Sequence, residues 1–84
     1  MRYYFHLHND VEARDDEGVD LPDQAAAREH ALDEARAMAA ESVREGHLDL
    51  SHSIEVADHA RERLFSVTFG EAVMITGGPP NQPV

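Results

Sequence analysis

Apolar and polar residues alternate at the start of the chain: Tyr3, Phe5 and Leu7 fall on one side of an extended run from Arg2 to His8, and Tyr4, His6 and His8 on the other. A period of two with this aromatic content predicts a half-buried strand. Asn9-Asp10 is a turn signal, and Val11 to Arg14 reads as a short, polar return strand at a sheet edge. The period then changes. From Asp23 to Glu45 the apolar positions Ala27, Ala31, Ala35, Met38, Ala39 and Val43 recur at three- and four-residue spacing, with Leu32 at the border, which predicts one long amphipathic helix with a single buried stripe. Its start is marked by Leu21-Pro22-Asp23, where the proline cannot continue a strand and the aspartate accepts from a free amide of the first turn. Its end is marked by Gly46, suited to a left-handed C′ position. Such a helix of about 22 residues is roughly 33 Å long and outreaches a seven-residue strand of roughly 23 Å, so one end should overhang the sheet.

The remaining pattern completes the layer. Asp15-Asp16-Glu17-Gly18 reads as an acidic turn in which Gly18 takes a positive φ and the acids stay in water, and Val19 and Leu21 lead back into the body. Beyond the helix, Leu48 and Leu50 are expected beneath its end, Ser51 to Asp58 forms a third strand with Ile54 and Val56 inward, and His59 to Glu62 turns the chain. Arg63 to Phe69 forms the fourth strand, with Phe65, Val67 and Phe69 inward; Gly70 closes it, and Glu71 to Ile75 adds at most a short turn or strand. Residues 76–84, with two glycines and three prolines, read as a disordered tail. The prediction is therefore one α+β domain over residues 1–75, in the order β-β-α-β-β: a small antiparallel sheet of two hairpins with the helix packed on one face.

Composition narrows the function. The formal charge is −10, from 17 acidic residues against seven arginines and no lysine. That balance opposes binding to nucleic acid or to an anionic membrane surface, and it leaves a basic protein partner possible. Absence of lysine excludes Schiff-base chemistry, and absence of cysteine excludes a disulfide framework and thiolate chemistry. The opening residues hold no signal-like apolar run and no stretch is long enough to span a membrane, so a cytoplasmic location is expected. Twelve of the hydrophobic residues are alanine, so large core side chains are few, and a domain this small has a net stability of only a few kcal/mol. Homo-oligomerisation would relieve that.

Candidate chemistry is sparse. Six histidines invite a metal, and His6 and His8, two apart on one strand, project from the same face; Glu55 or His52 would complete a site only if the third strand lies beside the first. The acidic turn lacks the alternating oxygen ligands of an EF-hand loop. Ser51 and Ser53 flank His52 but point to the opposite face of a strand, and Gly77-Gly78-Pro79-Pro80 opens no helix and makes no phosphate cradle. No enzyme and no cofactor are expected. What remains is the sheet face away from the helix, where Tyr4, His6 and His8 would stand with Leu64, Ser66 and Thr68. Tyrosine and histidine tolerate both burial and water, so Tyr4, His6, His8 and Leu64 are the expected contact groups of a homodimer.

The runs Arg2-Tyr3-Tyr4-Phe5-His6-Leu7 and Asp15-Asp16-Glu17-Gly18-Val19-Asp20-Leu21-Pro22-Asp23, the alanine-rich helix, and the later Ile54-Glu55-Val56 and Val67-Thr68-Phe69 resemble a family of short bacterial proteins classed as a domain of unknown function. The resemblance covers about residues 2 to 73 and implies a bacterial origin and this order of elements; it brings no activity, cofactor or site residue. A short sheet with one helix is also loosely similar to a partial RNase-H-like antitoxin domain. Three readings of function follow: a non-enzymatic homodimer, a metal- or small-ligand-binding protein using His6 and His8, and an antitoxin-like module that meets a basic partner through Glu29, Asp33 and Glu41 on the helix.

Overall fold

The first strand, β1, runs Arg2–His8 and is the spine of the sheet. In the computed structural model, which describes residues 1–9 and 12–77, its two edges are used differently. One edge pairs along its length with β4 (Ser53–Ala57), in the register Tyr4↔Ala57, His6↔Glu55 and His8↔Ser53. The other edge is shared by two short strands: β2 (Glu12–Ala13) opposite Leu7 and His8, and β3 (Val19–Asp20) opposite Arg2 and Tyr3. The sheet ends at β5 (Arg63–Thr68), which pairs antiparallel with β4. The α+β class and the single helix on the sheet are as the sequence predicts, but the sheet has five strands, because Val19-Asp20 pairs with β1 before the helix begins. The turn at Asn9-Asp10 and the first residue of the return strand, Val11, lie partly outside the described residues, as do residues 78–84 of the expected tail.

β3 and β4 each run antiparallel to β1 and hence parallel to each other, so the helix between them, α1 (Gln24–Arg44), is a crossover that passes over β1. Asp23 caps it: the carboxylate accepts from the Ala26 amide at 2.9 Å. Asp23→Ala should cost about 1 kcal/mol, read as a lower urea midpoint at unchanged slope. At the other end Glu45 is the C-cap, and Gly46 takes φ +96°. The buried stripe is Ala27, Ala31, Ala35 and Ala39, a strict four-residue row. Met38 and Val43 do not join it, and the last turn, residues 40–44, carries no buried residue; this is the overhang expected from helix length.

Facing the alanines are Tyr3 and Phe5 of β1, Ile54 and Val56 of β4 and Val67 of β5, with Phe65 and Leu7 at the margin. Complete burial of side chains of this size contributes about 1.5–3 kcal/mol each. Leu48 packs against this cluster, whereas Leu50 is largely exposed and contributes its carbonyl to the Gly70 amide. The chain after β5 does not end in a turn at Gly70. Thr68 and Glu71 form a reciprocal capping box over a four-residue helix, α2 (Phe69–Ala72), and this lays Phe69 into the core. Arg28 to Glu71 (3.2 Å) and Arg36 to the Ala72 carbonyl (2.8 Å) tie α2 to α1. The Thr68 amide and the Arg28 guanidinium both hold the Glu71 carboxyl below its ordinary range.

Candidate functional site

Tyr4, His6 and His8 do share the sheet face away from α1, across from Ala57, Glu55 and Ser53. That face is less open than alternation suggests. His6 is only 4% exposed, and its Nδ1 accepts from the Asp15 amide at 3.0 Å. Tyr4 lies under the Arg61 guanidinium, 4.2 Å from its ring centre, and Arg61 reaches on to Asp16 at 3.8 Å. Arg61 is aimed there by a tight turn in which it adopts φ +65°. The Asp58 carboxylate holds that turn through the amides of Ala60 and Glu62, both at 2.9 Å. His8 stands between two carboxylates, with Nδ1 2.8 Å from Glu12 and Nε2 3.5 Å from Glu55, the second an ion-pair separation without hydrogen-bond geometry. Leu64 departs from the expected arrangement: the β4/β5 register shifts at Val56/Ala57, and Leu64 packs against the core cluster at the sheet margin.

The interrupted edge of β1 explains why His6 is shut in. Between β2 and β3 no strand among the described residues covers the middle of β1, and the loop carrying Asp15 takes that place. Its carboxylate accepts from Phe5 (3.1 Å) on the strand and from Glu17 (3.1 Å) and Gly18 (3.0 Å) in its own turn. Partial burial pushes this carboxyl up, but the three amides outweigh it and hold the pKa below the ordinary value. Asp15 thus does not stay in water as the composition of the turn suggests. Gly18 takes the predicted positive φ, at +74°, and a Cβ there would stand 2.9 Å from the Tyr3 carbonyl, so the turn needs glycine on two counts.

On the helix side the same gap opens a cleft of about 450 Å³ between the loop and α1. His30, Glu34 and Met38 line its helical wall, each one residue ahead of a buried alanine. The His30 ring packs on Phe5 with centres 4.5 Å apart, and its Nε2 lies 3.4 Å from Glu34. Burial pushes the Glu34 carboxyl up; His30 opposes this and the Asp15 charge adds to it. His30 and Glu34 have no place in the predicted buried stripe or among the expected helical contact groups, and Met38, expected in the stripe, lines the cleft instead. The border row at i, i+4 and i+8, holding His, Glu and Met beside alanines, was the available signal.

The six histidines do not converge. His52 is buried edge-on against Phe69 at 5.6 Å and approaches Asp49 at 3.2 Å. The Ser51 hydroxyl and amide both donate to the Asp49 carboxylate and hold its carboxyl low. No group of three or more His, Cys, Asp or Glu side chains among the described residues is arranged to hold a metal ion. Of the helical acids, Asp33 bridges to Arg36 at 3.0 Å and Glu41 to Arg44 at 3.8 Å. Among the described residues no helix is long and apolar enough to cross a membrane.

No curated protein and no solved structure matches the chain. A family model does, over residues 2–70, a span that holds the interrupted edge, the alanine stripe and both later strands. The chain belongs to the family described as Domain of unknown function (DUF6894).

Proposed function

We propose that this chain is a non-enzymatic module that acts by protein association, and that its simplest partner is a second copy of itself joined along β5. The observation that carries this is the sheet order: β5 is the last strand, and among the described residues nothing pairs with its outer side. Leu64 to Thr68 contain no charge, no proline and no glycine, so the devices that keep strands apart are confined to the start of β5, where Arg63 reaches the Ser66 hydroxyl at 3.2 Å beside the register shift. The Phe69 amide donates to the His52 carbonyl beside β4, and strand alternation then turns the Phe65 and Val67 amides inward and the Ser66 amide outward. The Thr68 amide, also outward, is already taken by Glu71. Antiparallel pairing about Ser66 sets Phe65 opposite the second copy's Val67 and Leu64 opposite its Thr68, and it keeps both helices on one side of a continuous sheet.

Relative to a contact through the sheet face, this arrangement keeps Leu64 as a contact group. It gives Tyr4, His6 and His8 smaller parts, since His6 is enclosed and Tyr4 is covered by Arg61. Light scattering at tens of micromolar should give twice the chain mass. Ser66→Pro, which removes an outward amide and leaves the β4 ladder intact, should weaken self-association by at least about ten-fold with the helical circular dichroism unchanged. A monomeric parent, or a variant that dimerises as well as the parent, would overturn the proposal. Because each copy carries the same formal charge of −10, added salt should favour the dimer, whereas association with a basic partner through Glu29, Asp33 and Glu41 would weaken steeply. Zinc binding by His6 and His8 is the remaining alternative, and calorimetric titration of chelator-treated protein separates it.

A further inference from the structure

The cleft between α1 and the interrupted edge of β1 is built from two kinds of surface. Phe5, Leu7, Val19 and Met38 supply apolar lining, and Glu34 brings a carboxylate to it from the helical wall. The opposite rim is the Asp15 turn, with Glu17 and Arg14 at the opening. We infer that this cleft binds an organic monocation, a primary ammonium or guanidinium on a short apolar stem, with Glu34 receiving the charge and Phe5, Leu7 and Met38 receiving the stem.

Five observations lead to that chemistry. The volume, about 450 Å³, lies within the range of small-molecule clefts, where mostly apolar walls carry a few convergent polar groups. The sign of the ligand follows from the lining acids, Asp15, Glu17 and Glu34, which outnumber Arg14, in a chain of formal charge −10. An inorganic ion fits poorly: no set of three ligands for a metal is assembled among the described residues, and the apolar floor offers such an ion nothing. Arg14 on the far rim repels a second positive charge, which favours a monocation over a polyamine. Glu34 itself is badly placed for stability alone. It adjoins the fully buried Ala35, its carboxyl is pushed up by burial although its side chain keeps 44% exposure toward the cleft, and the polar group facing it is the His30 ring of the preceding turn. An apolar residue would seal this helix border better, and a residue that opposes local stability is expected where binding requires it.

The probe is n-pentylammonium titrated into uniformly ¹⁵N-labelled full-length protein. Amides of Gly18, Val19 and the His30 to Met38 turns should shift saturably, with a dissociation constant on the order of 1 mM. Neutral 1-pentanol and anionic pentanoate should each bind at least about ten-fold more weakly. Glu34→Gln should lose at least about ten-fold in affinity while remaining folded, since the amide keeps the shape and removes the charge; Asp33→Asn, on the exposed side, should bind like the parent. An Nα-acetylated, C-amidated lysine as second probe separates the two sources of this chemistry: binding comparable to pentylammonium supports a lysine side chain of another protein, and binding by the free amine alone supports a small-molecule amine. Equal affinity for pentanol, retained affinity in Glu34→Gln, or no saturable shift by about 20 mM would each overturn the assignment.

Discussion

Asp15→Ala should lower the stability of this domain by about 3 kcal/mol, enough to unfold a substantial part of the population at room temperature. One side chain has this leverage because it substitutes for a missing strand. Its carboxylate receives the Phe5 amide in the uncovered middle of β1 and the Glu17 and Gly18 amides in the turn, while its own amide meets His6. A hydrogen bond to a charged acceptor contributes about 1.5–3 kcal/mol when shielded, and the partial exposure of this site brings the total of three down to the figure above. Loss of Asp15 also leaves the Phe5 amide at the uncovered edge of β1 without an acceptor. Thermal unfolding should show a midpoint lowered by roughly 15 °C, and Asp15→Asn, which keeps acceptor oxygen but not charge, should fall between the variant and the parent.

The same residue sets an acid limit on the fold. Its carboxyl titrates lower in the folded protein than in the unfolded chain, so the stability it adds is full above the unfolded value of about 3.9 and is lost as pH falls through the folded value. Glu34 has the opposite sign: its folded carboxyl is raised, so its ionisation opposes folding above the unfolded value, and protonation relieves this as pH falls. Denaturation of parent and Asp15→Asn should therefore differ most near pH 7 and converge below about pH 4. A difference that persists undiminished at low pH would show that shape, not charge, is what Asp15 supplies.

Ala31→Leu should destabilise by about 3 kcal/mol, at the upper end for overpacking. Ala31 has no exposed surface and sits in the middle of the four-residue row that meets Tyr3, Phe5, Val56 and Val67. Alanine at every contact lets the helix axis approach the sheet closely, and three added carbons must either lift the whole helix or force neighbours off their rotamers. Leucine has nearly the helix propensity of alanine, so the loss would report packing rather than helix formation. Ala37→Leu, on the exposed side of the same helix, is the control and should change stability by less than about 0.5 kcal/mol. Comparable losses in both would place the effect outside the helix–sheet contact.

What was legible in the sequence was whatever depends on local periodicity and caps. Asp23 and Gly46 bracket the helix because an aspartate at the start and a glycine past the end satisfy orphan backbone groups wherever they occur. The alternation of β1 and the inward set Ile54, Val56, Phe65 and Val67 follow from the two-residue period of a strand. Less regular segments were not legible. Val19-Asp20 is too short to show a period, and becomes a strand only because β1 has an edge free at Arg2 and Tyr3. Leu64 obeys alternation in the sequence and departs from it beside a register shift, which depends on the partner strand. Gly70 suggests a stop, yet Thr68 and Glu71 continue the chain as a helical turn.

The candidate sites divide along the same line. Sequence by itself determined which groups exist: an acidic, lysine-free, cysteine-free chain with one long helix, aromatic residues in the first strand, and histidines spread over strand, helix and connecting segments. Only the tertiary structure decided which of them are within reach, because burial of His6, the Arg61 cover on Tyr4, the open side of β5 and the Glu34 cleft all depend on contacts between segments far apart in the chain. Pairing across β1 leaves a gap one residue must bridge, and that gap, which no local pattern encodes, is what places Asp15 on the strand and Glu34 at an opening.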